Sequence, residues 1–447
     1  MSRLLQPGQV LQTDTTKQPC RVKEFIASGT QGEVYRAQVG RDIVALKWYL
    51  PSYISQDNSI RTRLEQAIKQ GSPSDRFLWP TELVSGVSSN SFGYLMPFRE
   101  SRFHSLEELR LGSLPTSFYA LATAGFELAR HYFLLHIKGF CYRDVSDRNV
   151  SFDPTTGEIR IGDNDNVDIN GNKGTINGTP EFMAPEIVRE VASPTAKTDV
   201  FSLSVLLFHI LFKNHPLKGR KVYNIHIFDW PAHRHIFGEH PVFIFDPANR
   251  ANEPVSSYED EYRECGANAM KYWPIYPQFI RDLFTRTFTQ GILDPRARVS
   301  ELEWQDAMIR LRDSIVYCPK CKKGNFYDAD TLKANGGRPG TCWNDGIVLT
   351  VPPRIRIGQS VIILNNRTRL FPHHLGGNEK KYDFSTPIAE VTENPNVRGQ
   401  LGLRNLGVQK WTVSTGQGVA DVLQNQSVGL SNDITIHFGS VDGTVRF

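Results

Sequence analysis

At 447 residues, 40% hydrophobic and 22% charged, the chain has the composition of an ordinary folded protein. Its length suggests about three domains. The 51 basic and 47 acidic side chains leave a formal charge of only +4, so charge points to neither a nucleic-acid nor a membrane partner.

The first stretch, MSRLLQPGQVLQTD, lacks the apolar core of a signal peptide. The longest apolar run, VFSLSVLLFHILF at 200–212, falls short of the roughly 17 to 25 residues that span a bilayer and reads as a buried core helix. A cytoplasmic location is expected. Of the six cysteines, Cys20, Cys141 and Cys265 are scattered while Cys318, Cys321 and Cys342 cluster, a pattern of reduced thiols with a metal rather than a disulfide framework.

In chain order, residues 1–19 are expected as an N-terminal extension. From 20 to 98 the runs RVKEFIAS, GEVYRAQV, DIVALKWYL, TELVSGVS and FGYLMPF favour strands, broken by one helical segment near 57–70. Helical periodicity dominates 99–315, as in SFYALATAGFELARHYFLLHI, with an insertion-like stretch at about 213–277 rich in Pro, His and aromatics. Residues 316–350 shift to Cys, Gly, Lys and Asn, and 351–447 read as short strands of a sandwich or barrel. The expected fold class is α+β: a β-rich lobe, a larger helical lobe, a small cysteine module and a terminal β domain.

A set of residues suited to phosphate chemistry runs through the first two of these. In ASGTQGEV, Gly29 and Gly32 match two positions of a G-x-G-x-x-G-x-V turn, with Ala27 at the first and Val34 at the last; the turn either cradles phosphates or is a plain hairpin. In VALK, Lys47 follows Ala45 on an apolar strand, where an ammonium needs phosphates and a carboxylate to meet. Glu65, on the helical segment RTRLEQAIKQ, is the candidate carboxylate, or else a solvated charge. In CYRDVSDRNV, Asp144 is placed to receive a hydroxyl proton, and Asn149, five positions on, to hold a magnesium ion. Asp163 in IGDND follows as the second metal ligand. Downstream come GTPEFMAPE, Asp199 in TDVFSL and Arg298 in DPRARVS.

With these motifs in one order, residues 20–315 resemble a Hanks-type protein kinase domain, with an N-lobe at 20–98 and a C-lobe at 99–315. FLWPTELV, FGYLMPF, CYRDVSDRNVSFDPTTGEIRIGDNDNV and HPVFIFDP resemble a bacterial branch of such kinases found beside a TerY-like von Willebrand-type protein and a metal-dependent phosphatase. The resemblance implies a bilobal kinase fold, ATP and Mg²⁺, protein substrates modified on Ser or Thr, and an adenine hinge at Met96, Pro97 and Arg99. A nucleotide-binding pseudokinase scaffold is the alternative.

Three departures from the family pattern bear on that choice. Ser146 stands where a lysine usually steadies the γ-phosphate; Arg148, two residues on, either takes over that charge or faces solvent. Asp165 replaces the glycine of D-F-G and is either an extra magnesium ligand or a turn cap. Tyr142 replaces a histidine as a packing prop. The activation segment suggests autophosphorylation at Thr175, with Arg143 pairing to a phosphate there or, as the alternative, on Thr179.

In the cysteine module, the C-x-x-C knuckle of Cys318 and Cys321 is followed by Cys342 with Asp345 at the fourth position, which resembles a zinc ribbon with a Cys₃Asp site or a degenerate ribbon without metal. The tail GLRNLGVQKWTVSTGQGVADVLQNQSVGLSNDITIHFGSVDGTVRF at 402–447 resembles the later strands of forkhead-associated (FHA) domains, which implies an FHA-like β-sandwich at 351–447, and the part before it lacks a clear G-R pair or S-x-x-H segment for reading phosphothreonine.

Overall fold

The computed structural model describes residues 3–447 except 87–90, 113, 171–177, 257–264, 395, 398 and 416–417. Contacts divide the chain into two units: residues 1–273 with 282–305, and 274–281 with 306–447. The expected boundary near 315 therefore lies further upstream, and the cysteine module and terminal β domain share one unit.

In the first unit six antiparallel strands close a barrel: β1 (Val10–Thr13), β2 (Pro19–Ser28), β3 (Gly32–Val39), β4 (Asp42–Tyr49), β5 (Glu82–Ser85) and β6 (Phe92–Pro97), in the order β1-β2-β3-β4-β6-β5. Strand β1 corrects the expectation that residues 1–19 are only an extension. It pairs with β2 and with β5, so it closes the sheet and removes its edges.

The alternation of side chains along β4 divides its residues between two cores. Leu46 and Trp48 point into one cluster with Val22, Tyr35 and Val84. Ala45 and Tyr49 point into the other, which the helix Ile60–Gln70 covers through Ile60 and Leu64. Burying those two side chains contributes about 1.5–3 kcal/mol each. The helix stops at Gly71, whose φ of 70° suits a residue without Cβ and lets its N–H close on the carbonyls of Ala67 and Ile68.

The helical part is built around Phe118–Ile137, capped by Ser117, and Ala196–Phe212. The second is buried on every side along Thr198–Phe212, as its largely apolar sequence requires. Among the described residues no helix is long and apolar enough to cross a membrane. Aromatic residues of the described parts of 213–273 pack onto this helix: Phe243 meets Phe208 edge-on, and Trp273 meets Phe212 at 5.1 Å.

The second unit begins with a hairpin of Ile315–Tyr317 and Gly324–Phe326 that carries the first cysteine knuckle. Two antiparallel sheets follow. One orders its strands Ser360–Ile363, Arg354–Ile357, Asp442–Arg446, Thr435–His437, Trp411–Thr415, Gly418–Val422; the other Arg369–Leu370, Ala389–Glu393, Leu401–Asn405, Ser427–Gly429. Their inner faces share one apolar core that includes Ile355, Val391, Leu403, Trp411 and Ile436.

Candidate active site

The loop Tyr142–Asn149 is held by its backbone. Asp199, buried on Ala196–Phe212, accepts the N–H groups of Tyr142 and Arg143 on its two oxygens. Arg143 adopts the left-handed region at φ 73°, a conformation that costs on the order of 1 kcal/mol and persists because these bonds impose it. The Tyr142 hydroxyl donates to the Gly162 carbonyl, and its ring meets Tyr132 edge-on at 5.6 Å, so tyrosine ties this loop to the one carrying Asp163.

Behind Asp199, His136 bridges Asp199 and Glu301. Burial works against its charge, but the hydrogen bonds and charges of those two carboxylates outweigh burial and push its pKa up to about 9, above the ordinary 6.5. Protonated His136 therefore stabilises the fold fully below pH 6.5, and that contribution fades as the pH rises through 9. Urea unfolding should show a loss of at most about 3 kcal/mol between those limits, and His136→Gln should flatten the slope.

Asp144 is the centre of the site. Its Oδ1 accepts the N–H and hydroxyl of Thr179, each at 2.8 Å, and its Oδ2 accepts the Asn149 amide at 3.0 Å. Burial raises its pKa above the usual carboxylate value against these bonds, which improves it as a proton acceptor. Because the Asn149 Nδ2 also donates to the Asp144 carbonyl, the atom left for a cation is Oδ1, the acceptor a hard metal needs. The Gly162 N–H bonds the Asn149 carbonyl at 2.8 Å, which brings Asp163 beside Asn149 at the end of the paired strands Val150–Phe152 and Ile159–Ile161. The Asp163 side chain is 47% exposed and sits at φ 45°.

Lys47 does not meet Glu65. The Glu65 carboxylate is 55% exposed and paired with Arg61 one helical turn away, while Lys47 donates to both oxygens of Asp165, at 3.0 and 2.9 Å. Asp165 also accepts the hydroxyls of Tyr49 at 2.6 Å and Tyr94 at 3.1 Å, so it is neither free to ligate a metal nor capping a turn. Burial alone would raise the Asp165 pKa, yet the Lys47 charge and these bonds hold it below the usual carboxylate range. Burial likewise opposes the Lys47 charge, but Asp163 and Asp165 together hold its pKa above the ordinary lysine value. Gln31 spans Lys47 at 2.5 Å and Asn166 at 3.1 Å, which ties the glycine-rich turn to this cluster.

Gln31, Tyr49, Tyr94 and Asn166 were not anticipated from motifs. The available signal was the pleat: Tyr49 lies two residues after Lys47 on the same face of β4, and Tyr94 pairs directly with Lys47 across β6.

Around the cleft, a Cβ on Gly29 would meet nothing within 4 Å, leaving its backbone open to a ligand. At Gly32 a Cβ would fall 2.2 Å from the Trp48 carbonyl, so close strand approach explains that glycine. Val34 pairs with Lys47, and Ala45 with Met96; all three apolar residues belong to one cluster. Pro97 is exposed beyond Met96, and Arg99 donates to the Ser151 hydroxyl at 2.6 Å. Ser146 is 1% exposed, whereas Arg148 is exposed and makes no ion pair among the described residues.

Thr175 lies outside the described residues. Arg143 is paired with Asp168 at 2.9 Å, and its side chain is 3% exposed, so its charge is already met by a carboxylate of the chain itself. Arg298 grips Glu186 through two bonds of 2.8 and 2.7 Å.

In the second unit, Cys318, Cys321, Cys342 and Asp345 bring one ligand atom each within 4.8 Å of one another. The two knuckles have matching turns: Lys322 N–H bonds the Cys318 carbonyl and Gly346 N–H the Cys342 carbonyl, with φ of 62° and 73° at those residues. The N–H of Asn344 and the amide of Asn325 both point at the Cys342 sulfur, as donors to a thiolate do.

Residues 20–249 match a family model described as protein kinase domain. The chain is 30% identical over 165 residues to CBL-interacting protein kinase 4 of Oryza sativa, covering 36% of this chain and 35% of that protein. It is 26% identical over 208 residues to CBL-interacting serine/threonine-protein kinase 15 of Arabidopsis thaliana, covering 42% and 46%. It is 30% identical over 196 residues to serine/threonine-protein kinase PknK of Mycobacterium bovis, covering 42% and 17%. The chain thus spans less than half the length of each of these relatives.

Proposed function

The chain belongs to the protein kinase domain family, and on that premise we propose that it transfers the γ-phosphate of ATP to serine or threonine of protein substrates. The observation that carries this reading is Asp144, a half-buried carboxylate with raised proton affinity, held by Thr179 on one oxygen and Asn149 on the other. Asp144 takes the proton of the attacking hydroxyl, and Thr179 fixes the orientation of the oxygen opposite Asn149. Lys47 offers its ammonium to the phosphates, and the exposed Arg148 offers a planar fork to the charge of the group in transfer.

The donor set fits magnesium: Asn149 Oδ1 and the half-exposed Asp163 carboxylate are hard oxygen ligands, and these two residues would hold the ion. Bound there, the ion neutralises charge on the phosphate oxygens. Asp165 contributes nothing to that ligand set, since its oxygens are taken.

The test is incubation of the purified chain with labelled ATP and Mg²⁺. The wild type should become labelled and Asp144→Ala should not; labelling of neither, with nucleotide still bound, selects the pseudokinase scaffold, which the buried Ser146 favours. Mapping in the same experiment should return Thr175 as a self-phosphorylated residue, and a map without it ends that part of the reading. Because Asp168 already meets Arg143, the modification is not required to satisfy that arginine.

We also propose zinc at Cys318, Cys321, Cys342 and Asp345, supported by the convergence of four ligand atoms and the paired knuckle turns. Elemental analysis should find about one zinc per chain, lost in Cys318→Ser and held more tightly against a chelator in Asp345→Cys. Absence of zinc after incubation with buffered Zn²⁺ would contradict the site. The FHA-like reading of 351–447 is supported by its two-sheet strand order. A TerY-like protein and a metal-dependent phosphatase as partners, and a cytoplasmic location, rest on sequence reading alone.

A further inference from the structure

Building on the kinase reading, we propose that Asp165, cradled by Tyr49 and Tyr94, is the positioning residue for Lys47, in the role expected of Glu65 on the helix Ile60–Gln70. One short turn then carries Asp163 and anchors Lys47 of β4, and the helix is not needed to align them.

The geometry follows from the pleat. Lys47 and Tyr49 share a face of β4, and Tyr94 sits directly opposite Lys47 on β6, so three polar tips converge below the sheet. The carboxylate of Asp165 meets them with each oxygen saturated: Oδ1 takes Lys47 and Tyr94, and Oδ2 takes Lys47 and Tyr49. The side chains of Lys47 and Asp165 are 5% and 3% exposed. Two charges so deeply desolvated are tolerable because they are paired: loss of Lys47 strands Asp165, and loss of Asp165 leaves Lys47 only the half-exposed Asp163 carboxylate at 3.5 Å.

Glu65 has none of these properties. Its carboxylate is mostly in water and held by Arg61, which also reaches back to Asp14. An exposed pair of that kind contributes little and positions nothing.

The turn that presents Asp165 is fixed at several points. Asp163 enters it in the left-handed region at φ 45°, the buried Asn164 donates to the Ile161 carbonyl at 2.9 Å, and Asn166 takes the Gln31 amide. A glycine in place of Asp165 could supply none of the lysine's contacts. The departure from D-F-G is thus compensated by Tyr49 and Tyr94, whose hydroxyls stay protonated donors because burial and the Asp165 charge raise their pKa values well above the ordinary phenol.

The test compares wild type, Asp165→Asn, Tyr94→Phe and Glu65→Ala in the full chain. It measures kcat and KM for ATP, the Mg²⁺ requirement, and the rate at which an acyl-phosphate derivative of ATP acylates Lys47, read by mass spectrometry. Glu65→Ala should stay within about twofold of wild type. Asp165→Asn should lose about 10²- to 10³-fold in kcat/KM, as expected for removal of a preorganised charge. In the same variant Lys47 should acylate faster, because its amine is released from the two Asp165 oxygens that hold it in place. Tyr94→Phe should shift both readouts in the same directions by less, which keeps the inference testable if Asp165→Asn does not fold.

An unchanged Lys47 acylation rate in both variants overturns the proposal, as does a Glu65→Ala chain as impaired as Asp165→Asn. A raised Mg²⁺ requirement with unaltered acylation also overturns it, by making Asp165 a metal ligand. If wild type binds nucleotide without transferring phosphate, the kinase reading fails, and the acylation rates still decide the role of Asp165.

Discussion

Asp144→Asn is expected to lower phosphoryl transfer by about 10²- to 10⁴-fold while leaving ATP affinity within a few fold of wild type. The substitution keeps the size of the side chain and removes its ability to accept a proton. It also disturbs its neighbours. Three donors converge on the carboxylate, from the Thr179 N–H, the Thr179 hydroxyl and the Asn149 amide. An amide has one acceptor oxygen, so its NH₂ must face at least one of those donors. The least costly arrangement keeps the oxygen on Thr179 and turns the NH₂ toward Asn149, which pushes the metal-facing amide out of place. Steady-state kinetics with labelled ATP should therefore show the loss in kcat together with a rise in the Mg²⁺ requirement. A variant with wild-type turnover would remove Asp144 from the chemistry.

Arg298→Ala should produce the largest loss of stability, about 3–5 kcal/mol, read by urea unfolding of the unit that holds it. Arg298 has a side chain only 1% exposed and makes four bonds: two to Glu186 at 2.8 and 2.7 Å, and one each to the carbonyls of Gly291 and Lys197 at 2.9 Å. Truncation leaves a largely buried carboxylate and two carbonyls without donors. Arg298→Lys should recover little, since a single ammonium cannot reproduce the planar fork. Because Glu186 opens the short helix Pro185–Val188 just after Thr179, loss of the pair should also loosen the segment that holds Asp144. A destabilisation below about 1 kcal/mol would show that the pair contributes no more than a surface contact.

Much of the site was legible in linear order. Asp144 and Asn149 lie in one loop, and Asp163 follows a hairpin whose strands are too short to place it anywhere but beside Asn149. The β-favouring run DIVALKWY and the apolar run VFSLSVLLFHILF predicted a strand and a core helix, and both formed. The paired knuckles of Cys318, Cys321, Cys342 and Asp345 were legible as well, each being a tight local turn.

The errors fell where partners are distant. Glu65 was the natural carboxylate for Lys47 by family order, but the lysine meets Asp165, more than a hundred residues along, because the turn Asn164–Asn166 projects into the face where Tyr49 and Tyr94 already point. Strand β1 carries only four residues of weak alternation, and it joined the barrel because β2 and β5 both offered it an open edge.

By itself the sequence determined the groups available to this protein: the carboxylate of Asp144, the oxygen donors of Asn149 and Asp163, the ammonium of Lys47, and three thiols with a carboxylate in matched knuckles. The tertiary structure alone decided which carboxylate anchors the lysine, which one answers Arg143, and where the barrel closes. Local motifs encode a residue's type and its neighbours along the chain. The pairing of buried charges depends instead on which groups desolvation brings into one pocket, and no period along the chain records that.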